Sequence, residues 1–203
     1  MSAQSIRRML PTGDEVLIRP VRPEDKRGLL EGFQRLGPES RYRRFLSVRP
    51  TLSKAELRYL TEVDHSAHEA LLAIDPQTRD GLGVARFVRS SEDPSVAEVA
   101  VAVTDSWQRR GLGTTLLLEL ARRAREEGIE HFSALVLAEN DAISELLFKL
   151  GDVRVTGRGT GVVELVMDLP DEGIPQTLRH TVRAAARGEL ELERGDPGKR
   201  AVR

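Results

Sequence analysis

Along this chain the spacing of apolar positions changes repeatedly between period two and period three to four, and each change marks a secondary-structure element. Glu15 to Pro20 (EVLIRP) alternates as a strand. Pro23-Glu24-Asp25 opens a helix through about Leu36, with Leu29, Leu30, Phe33 and Leu36 on one face, and Gly37-Pro38 stops it. A basic stretch, Ser40-Arg41-Tyr42-Arg43-Arg44-Phe45, leads into a second helix behind Ser53, an N-cap with Glu56 three residues on. Ala70 to Ile74, Gly83 to Val88 and Ala97 to Val103 read as successive strands, with Asp75 to Gly81 as the first turn. From about Gly113 to Glu127 a helix turns Leu116, Leu117, Leu120, Ala121 and Ala124 inward and its arginines outward, and Gly128 closes it. Ser133 to Leu137 is a strand and Asp141 to Leu150 a helix. Val153 to Thr156 and Val162 to Leu169 form a hairpin around Gly157-Arg158-Gly159-Thr160-Gly161.

This order of strands and helices predicts one α/β (α+β) domain over residues 14–170. Residues 1–13 form a polar leader, and residues 171–203 hold an amphipathic helix (Ile174 to Arg187) and a charged, disordered tail. A chain of 203 residues, 39% hydrophobic, supports one good core. The formal net charge is −1, which argues against nucleic acid or an anionic membrane as partner. Cysteine is absent, which excludes disulfides, thiol nucleophiles and cysteine-ligated zinc. The N-terminal MSAQSIRRML lacks a signal-peptide core, and no apolar run approaches membrane-spanning length, so a cytoplasmic protein is expected.

The chemistry concentrates between the Ala97 to Val103 strand and the long helix, at Gln108-Arg109-Arg110-Gly111-Leu112-Gly113 followed by Thr114. A strand ends, the backbone turns through glycines, and unpaired N–H groups at a helix start point at whatever sits there. Two adjacent arginines suit a pyrophosphate. Neither G-x-G-x-x-G nor G-x-x-x-x-G-K-[ST] is present. The Q-x-x-G-x-G pattern instead resembles the pyrophosphate loop of the GNAT N-acetyltransferase superfamily. The alternative is an ordinary glycine-containing turn.

That resemblance implies the GNAT fold: a central mixed, mostly antiparallel twisted sheet of six to seven strands with helices on both faces. It implies acetyl-CoA as co-substrate, no metal, and a diphosphate cradle built from Gln108, Arg109, Arg110, Gly111, Leu112, Gly113 and Thr114. Main-chain N–H groups of Val101 and Val103 would meet the pantetheine arm and the thioester carbonyl. Asn140 matches the asparagine that commonly contacts CoA, and it also suits a helix N-cap. Glu98, a carboxylate at the head of an otherwise apolar strand, takes the general-base role; the plain alternative is a strand-start charge in solvent. Direct proton transfer from a free lysine to a free carboxylate is uphill by about six pKa units, roughly 8 kcal/mol, so a water held by Glu98 is the more economical acceptor. Many family members carry a tyrosine as general acid where this chain has Leu147, and no side chain here takes that role.

The first half narrows the resemblance. Ile18-Arg19-Pro20-Val21-Arg22-Pro23-Glu24-Asp25, Ser40-Arg41-Tyr42-Arg43-Arg44-Phe45 and Leu60-Thr61-Glu62-Val63-Asp64-His65 resemble the catalytic domain of bacterial Pat-type protein lysine acetyltransferases. The acceptor is then a lysine of an acyl-CoA synthetase-like protein, and the chain a stand-alone enzyme, monomer or homodimer. A small-molecule amine as acceptor, or a non-catalytic acyl-CoA sensor, are the alternatives. Arg43 or Arg44 would meet acidic groups on a protein partner, or else Tyr42 and Phe45 pack while the arginines are solvated. His65 and His68 lack a convincing third metal ligand.

Overall fold

The computed structural model describes residues 5–46 and 50–169, so the expected C-terminal helix and tail lie outside the described residues. The chain runs β1 (Ile6–Met9), β2 (Glu15–Pro20), α1 (Lys26–Gln34), α2 (Pro38–Phe45), α3 (Lys54–Thr61), β3 (His68–Ile74), β4 (Gly81–Arg89) and β5 (Val96–Val103). It continues through α4 (Leu112–Glu126), β6 (His131–Leu137), α5 (Asp141–Leu150), β7 (Val153–Gly159) and β8 (Val162–Asp168). One eight-stranded sheet results, in the order β1-β2-β3-β4-β5-β6-β8-β7. Every neighbouring pair is antiparallel except β5 and β6.

Side chains alternate across strands, so each face of β4 and β5 meets different helices. On one face Ala85, Phe87, Ala97 and Val99 pack with Leu116, Leu117 and Leu120 of α4 in the largest apolar cluster. A Cβ on Gly83 of that face would lie 3.2 Å from Leu116, so glycine lets α4 approach. On the other face Leu29, Phe33 and Leu36 pack with Leu52 and Leu60. The expected mixed sheet with helices on both faces is present, with eight strands in place of six or seven.

Two elements differ from the sequence expectation. Residues 6–9, assigned to the polar leader, form β1 along the edge of β2. Arg8 Nε donates to Glu119 on α4 at 2.7 Å. The basic stretch before the second helix is itself a helix, α2. Gly37-Pro38, read as a stop, is also its start: Gly37 is the N-cap and proline occupies the first turn. The expected hairpin joins β7 and β8, but Gly157, Arg158 and Gly159 belong to β7, paired with Glu164, Val163 and Val162, and the turn is Thr160-Gly161 alone, with Gly161 at φ 76°.

Candidate active site

The site starts where β5 leaves β6. Only Val96, Ala97 and Glu98 pair with β6, opposite His131, Phe132 and Ser133. Thr104 N donates to Leu82 O and Ser90 N to Val96 O, both at 2.9 Å, so even-numbered residues of β5 turn their main chain toward β4. By alternation Val101 and Val103 point theirs the other way, into the gap that opens beyond Glu98. Gln108 Nε2 takes the Val103 carbonyl at 3.1 Å.

The turn after β5 carries the segment expected to cradle a diphosphate. Arg109 at φ 59° and Gly111 at φ 88° both stand in the left-handed region, and Gly111 is the N-cap of α4. The first helical bond is Thr115 N to Gly111 O at 3.0 Å. The N–H groups of Arg109, Arg110, Gly111, Leu112, Gly113 and Thr114 therefore have no backbone acceptor among the described residues. Leu112 offers main chain alone, because its side chain is buried in the core. Arg109 is exposed and makes no hydrogen bond or ion pair among the described residues, whereas Arg110 stacks on Trp107 at 4.9 Å and reaches Asp14 at 3.4 Å. The two arginines thus split: one is open to a ligand, and the other ties the loop to the β1–β2 turn.

Gln108 is a brace. Its amide donates to Ser40 Oγ, Val103 O and Asp105 Oδ1, each at 3.1 Å. Asp105 also accepts from Gly37 N at 3.0 Å and from Ser40 Oγ at 2.8 Å, fixing the start of α2 over the cleft. Ser40 and Asp105 were not singled out from sequence; only a structure shows that their short side chains meet.

A cleft of about 770 Å³ joins these parts. Glu98, Val101, Val103, Arg109, Gly111, Gly113, Thr114 and Asn140 all line it, with Gln108 at its edge. Glu98 is exposed within it. Asn140 stands at the N-cap position of α5, but its side chain makes no capping bond, which leaves the amide for the cleft. Leu147, at the position of the family's tyrosine, is buried in the main apolar cluster and also lines the cleft. On the opposite wall α2 divides: Arg41 donates to Leu36 O at 2.8 Å, Phe45 stacks edge-on against Phe33 at 5.6 Å, Arg43 pairs with Glu39 at 2.5 Å, and Tyr42 is exposed. Arg43, Arg44 and Phe45 line the cleft.

Beneath this wall His68 Nε2 lies 3.0 Å from Arg86 Nη1 and its ring is 5.0 Å from that of Tyr59. Burial, then the neighbouring Arg86 charge, push the His68 imidazole down to about 4. The unfolded chain therefore takes up this proton first as pH falls, and stability is lost between about pH 6.5 and pH 4. Urea unfolding should show a loss of about 2 kcal/mol across that window, allowing for partial solvent access. His68→Gln, which keeps an acceptor for Arg86, should flatten the slope; an unchanged slope would assign it elsewhere. His65 is spent on Glu69 at 2.8 Å. Among the described residues no group of three or more His, Cys, Asp or Glu side chains is placed to hold a metal ion, and no helix is long and apolar enough to cross a membrane.

A family model described as an acetyltransferase (GNAT) domain matches residues 15–152. The chain is 38% identical over 160 residues to Acetyltransferase Pat of Mycolicibacterium smegmatis, a match covering 78% of this chain and 47% of that protein. It therefore spans about half the length of that relative. An acetyltransferase of Pseudomonas aeruginosa is 33% identical over 147 residues, covering 71% of this chain and 78% of that protein. Among solved structures, the GNAT domain of S. lividans PAT superposes with a TM-score of 0.75 at 28% identity, over 81% of this chain and 97% of that one.

Proposed function

The chain belongs to the GNAT acetyltransferase family, and we propose that it moves an acetyl group from acetyl-CoA to a lysine side chain of an acyl-CoA synthetase-like protein. One observation carries this reading: a single cleft runs from the unpaired N–H groups of residues 109–114, past Val101 and Val103, to Glu98. Six consecutive N–H donors at the start of a fifteen-residue helix suit a diphosphate. Arg109 adds a cation there, and the Asn140 amide faces the same space. Main-chain donors of Val101 and Val103 would then meet the pantetheine arm and the carbonyl oxygen on which charge develops.

That layout supports reaction by direct attack in a ternary complex. A water held by Glu98 takes the amine proton and passes one of its own to the Glu98 carboxylate as the new N–C bond forms and the C–S bond breaks. A CoA thiol has an ordinary value near 8.5, so the thiolate leaves without a dedicated donor, consistent with Leu147 at the position of the family's tyrosine. That substitution also favours a second reading, a CoA-binding sensor without turnover.

Labelled acetyl-CoA, offered with acyl-CoA synthetase and separately with a panel of amino acids, polyamines and aminoglycosides, separates the readings. Label on a synthetase lysine is the expected result. Label on small amines alone overturns the protein acceptor, and calorimetric CoA binding with no transfer to anything selects the sensor.

A further inference from the structure

Behind α2 the cleft adjoins a small cavity of about 60 Å³, walled by Leu29, Phe33, Leu60 and Leu72 and carrying two guanidinium groups, Arg44 and Arg86. Arg44 lines both spaces. Arg86 rises from β4 on the same sheet face as Glu98 of β5, and it is only 4% exposed. Its Nη1 meets His68, its Nη2 donates to Leu60 O at 3.1 Å, and its Nε is buried with no partner. Among the described residues neither arginine has a carboxylate within ion-pair distance. By contrast Arg19 meets Asp25 at 2.7 Å and Arg123 meets Glu69 at 3.3 Å, while the half-buried Arg41 and Arg89 are each held by backbone carbonyls.

A buried cation without a counter-ion is strongly unfavourable, and a pair of them more so. Arg86 is buried, and Arg44 is half-buried beside it in the same cavity. Burial pulls Arg44 below its ordinary value, opposed in part by the negative charge of Glu98. Burial and then the Arg44 charge push Arg86 down to about 10. A planar fork of N–H donors in a tight apolar recess suits a carboxylate, and the recess shares Leu36, Arg44, Phe45 and Ala102 with the cleft that Glu98 lines.

We infer that Arg44 and Arg86 form a carboxylate subsite for the acceptor, filled by an aspartate or glutamate side chain near the target lysine of the protein substrate. This rests on the protein-lysine reading above. The acid's entry neutralises the arginine pair and anchors the substrate backbone, so the lysine amine is directed to Glu98 from the same side of the sheet.

The test compares synthetic peptides that place Glu or Gln one to three residues from a single lysine, using wild type, Arg44→Met and Arg44→Lys, with CoA affinity followed by calorimetry. A charge-assisted bond of this kind is expected to give wild type an acid preference of about 10- to 100-fold in kcat/KM. Arg44→Met should lose the preference at unchanged CoA affinity, and Arg44→Lys should recover part of it. Equal kcat/KM for Glu and Gln peptides in wild type overturns the subsite while leaving the lysine acetyltransferase reading intact. A preference for free lysine over lysine amide, with none among peptides, overturns the protein-borne carboxylate. A second measurement needs no turnover: arginine side-chain NMR of the wild-type protein titrated with glutarate. Selective shifts of the Arg44 and Arg86 Nε signals support the subsite even if no peptide is acetylated, and their absence overturns it.

Discussion

Glu98→Gln is expected to lower kcat for acetyl transfer by about 10²- to 10⁴-fold, the usual contribution of a positioned proton acceptor, while CoA affinity stays within about twofold of wild type. The separation of the two effects follows from where the residue sits. Glu98 is the last residue of β5 to pair with β6, and its side chain is exposed in the cleft on the face opposite α4. It shares the cleft with the cradle without being part of it. Glutamine keeps the shape and the hydrogen bond to water but cannot take a proton, so binding survives and turnover does not. Rapid-quench single-turnover measurement makes the outcome sharp. An unchanged single-turnover rate removes Glu98 from the chemistry. A parallel loss of rate and CoA affinity makes its role structural.

The core of this arrangement was legible in the sequence because two strong periodicities flank a glycine turn. Val96 to Val103 is nearly all apolar, as a strand buried in a sheet must be, and the inward stripe of α4 (Leu116, Leu117, Leu120, Ala124) repeats at helical spacing. The elements that escaped lack such a face. In β1 (IRRM) Ile6 is half-buried and Met9 is 67% exposed, so it is held by its ladder to β2 and by the Arg8–Glu119 pair, neither of which leaves a pattern in the chain. In α2 no residue is fully buried, and the helix is fixed by Asp105, sixty-odd positions away. The same limit applies to the site. The motif from Gln108 to Thr114 is local and stands out in the chain, but the contacts of Gln108 and Arg110 do not, because their partners (Ser40, Asp14) come from distant segments. The Arg44–Arg86 pair joins α2 to β4, and only packing brings two cations to one recess.

The cradle gives the second large effect. Gly111→Ala is expected to weaken CoA binding by about 10- to 100-fold, through strain of about 1–2 kcal/mol in the left-handed backbone and displacement of the N–H groups that grip the ligand. Gly111 has φ +88°, and an added Cβ would stand 2.7 Å from Cδ and 3.0 Å from Cγ of Pro11. A proline ring in the turn between β1 and β2 cannot swing aside as a flexible side chain can, so the loop itself must move. Gly113 supplies the control. It lies in α4 without a positive φ, and its Cβ would meet the Leu146 Cδ2 methyl at 3.3 Å and the Val103 Cγ2 methyl at 3.9 Å, so Gly113→Ala should change affinity by less than about threefold. Calorimetry with CoA reads both variants, and thermal unfolding shows that each is folded. With Gly111→Ala, KM for acetyl-CoA should rise while kcat at saturation stays close to wild type, because the displaced donors are those proposed to grip the diphosphate and not the reacting carbonyl. Wild-type affinity in a folded Gly111→Ala protein would mean that the ligand's phosphates lie somewhere other than the start of α4.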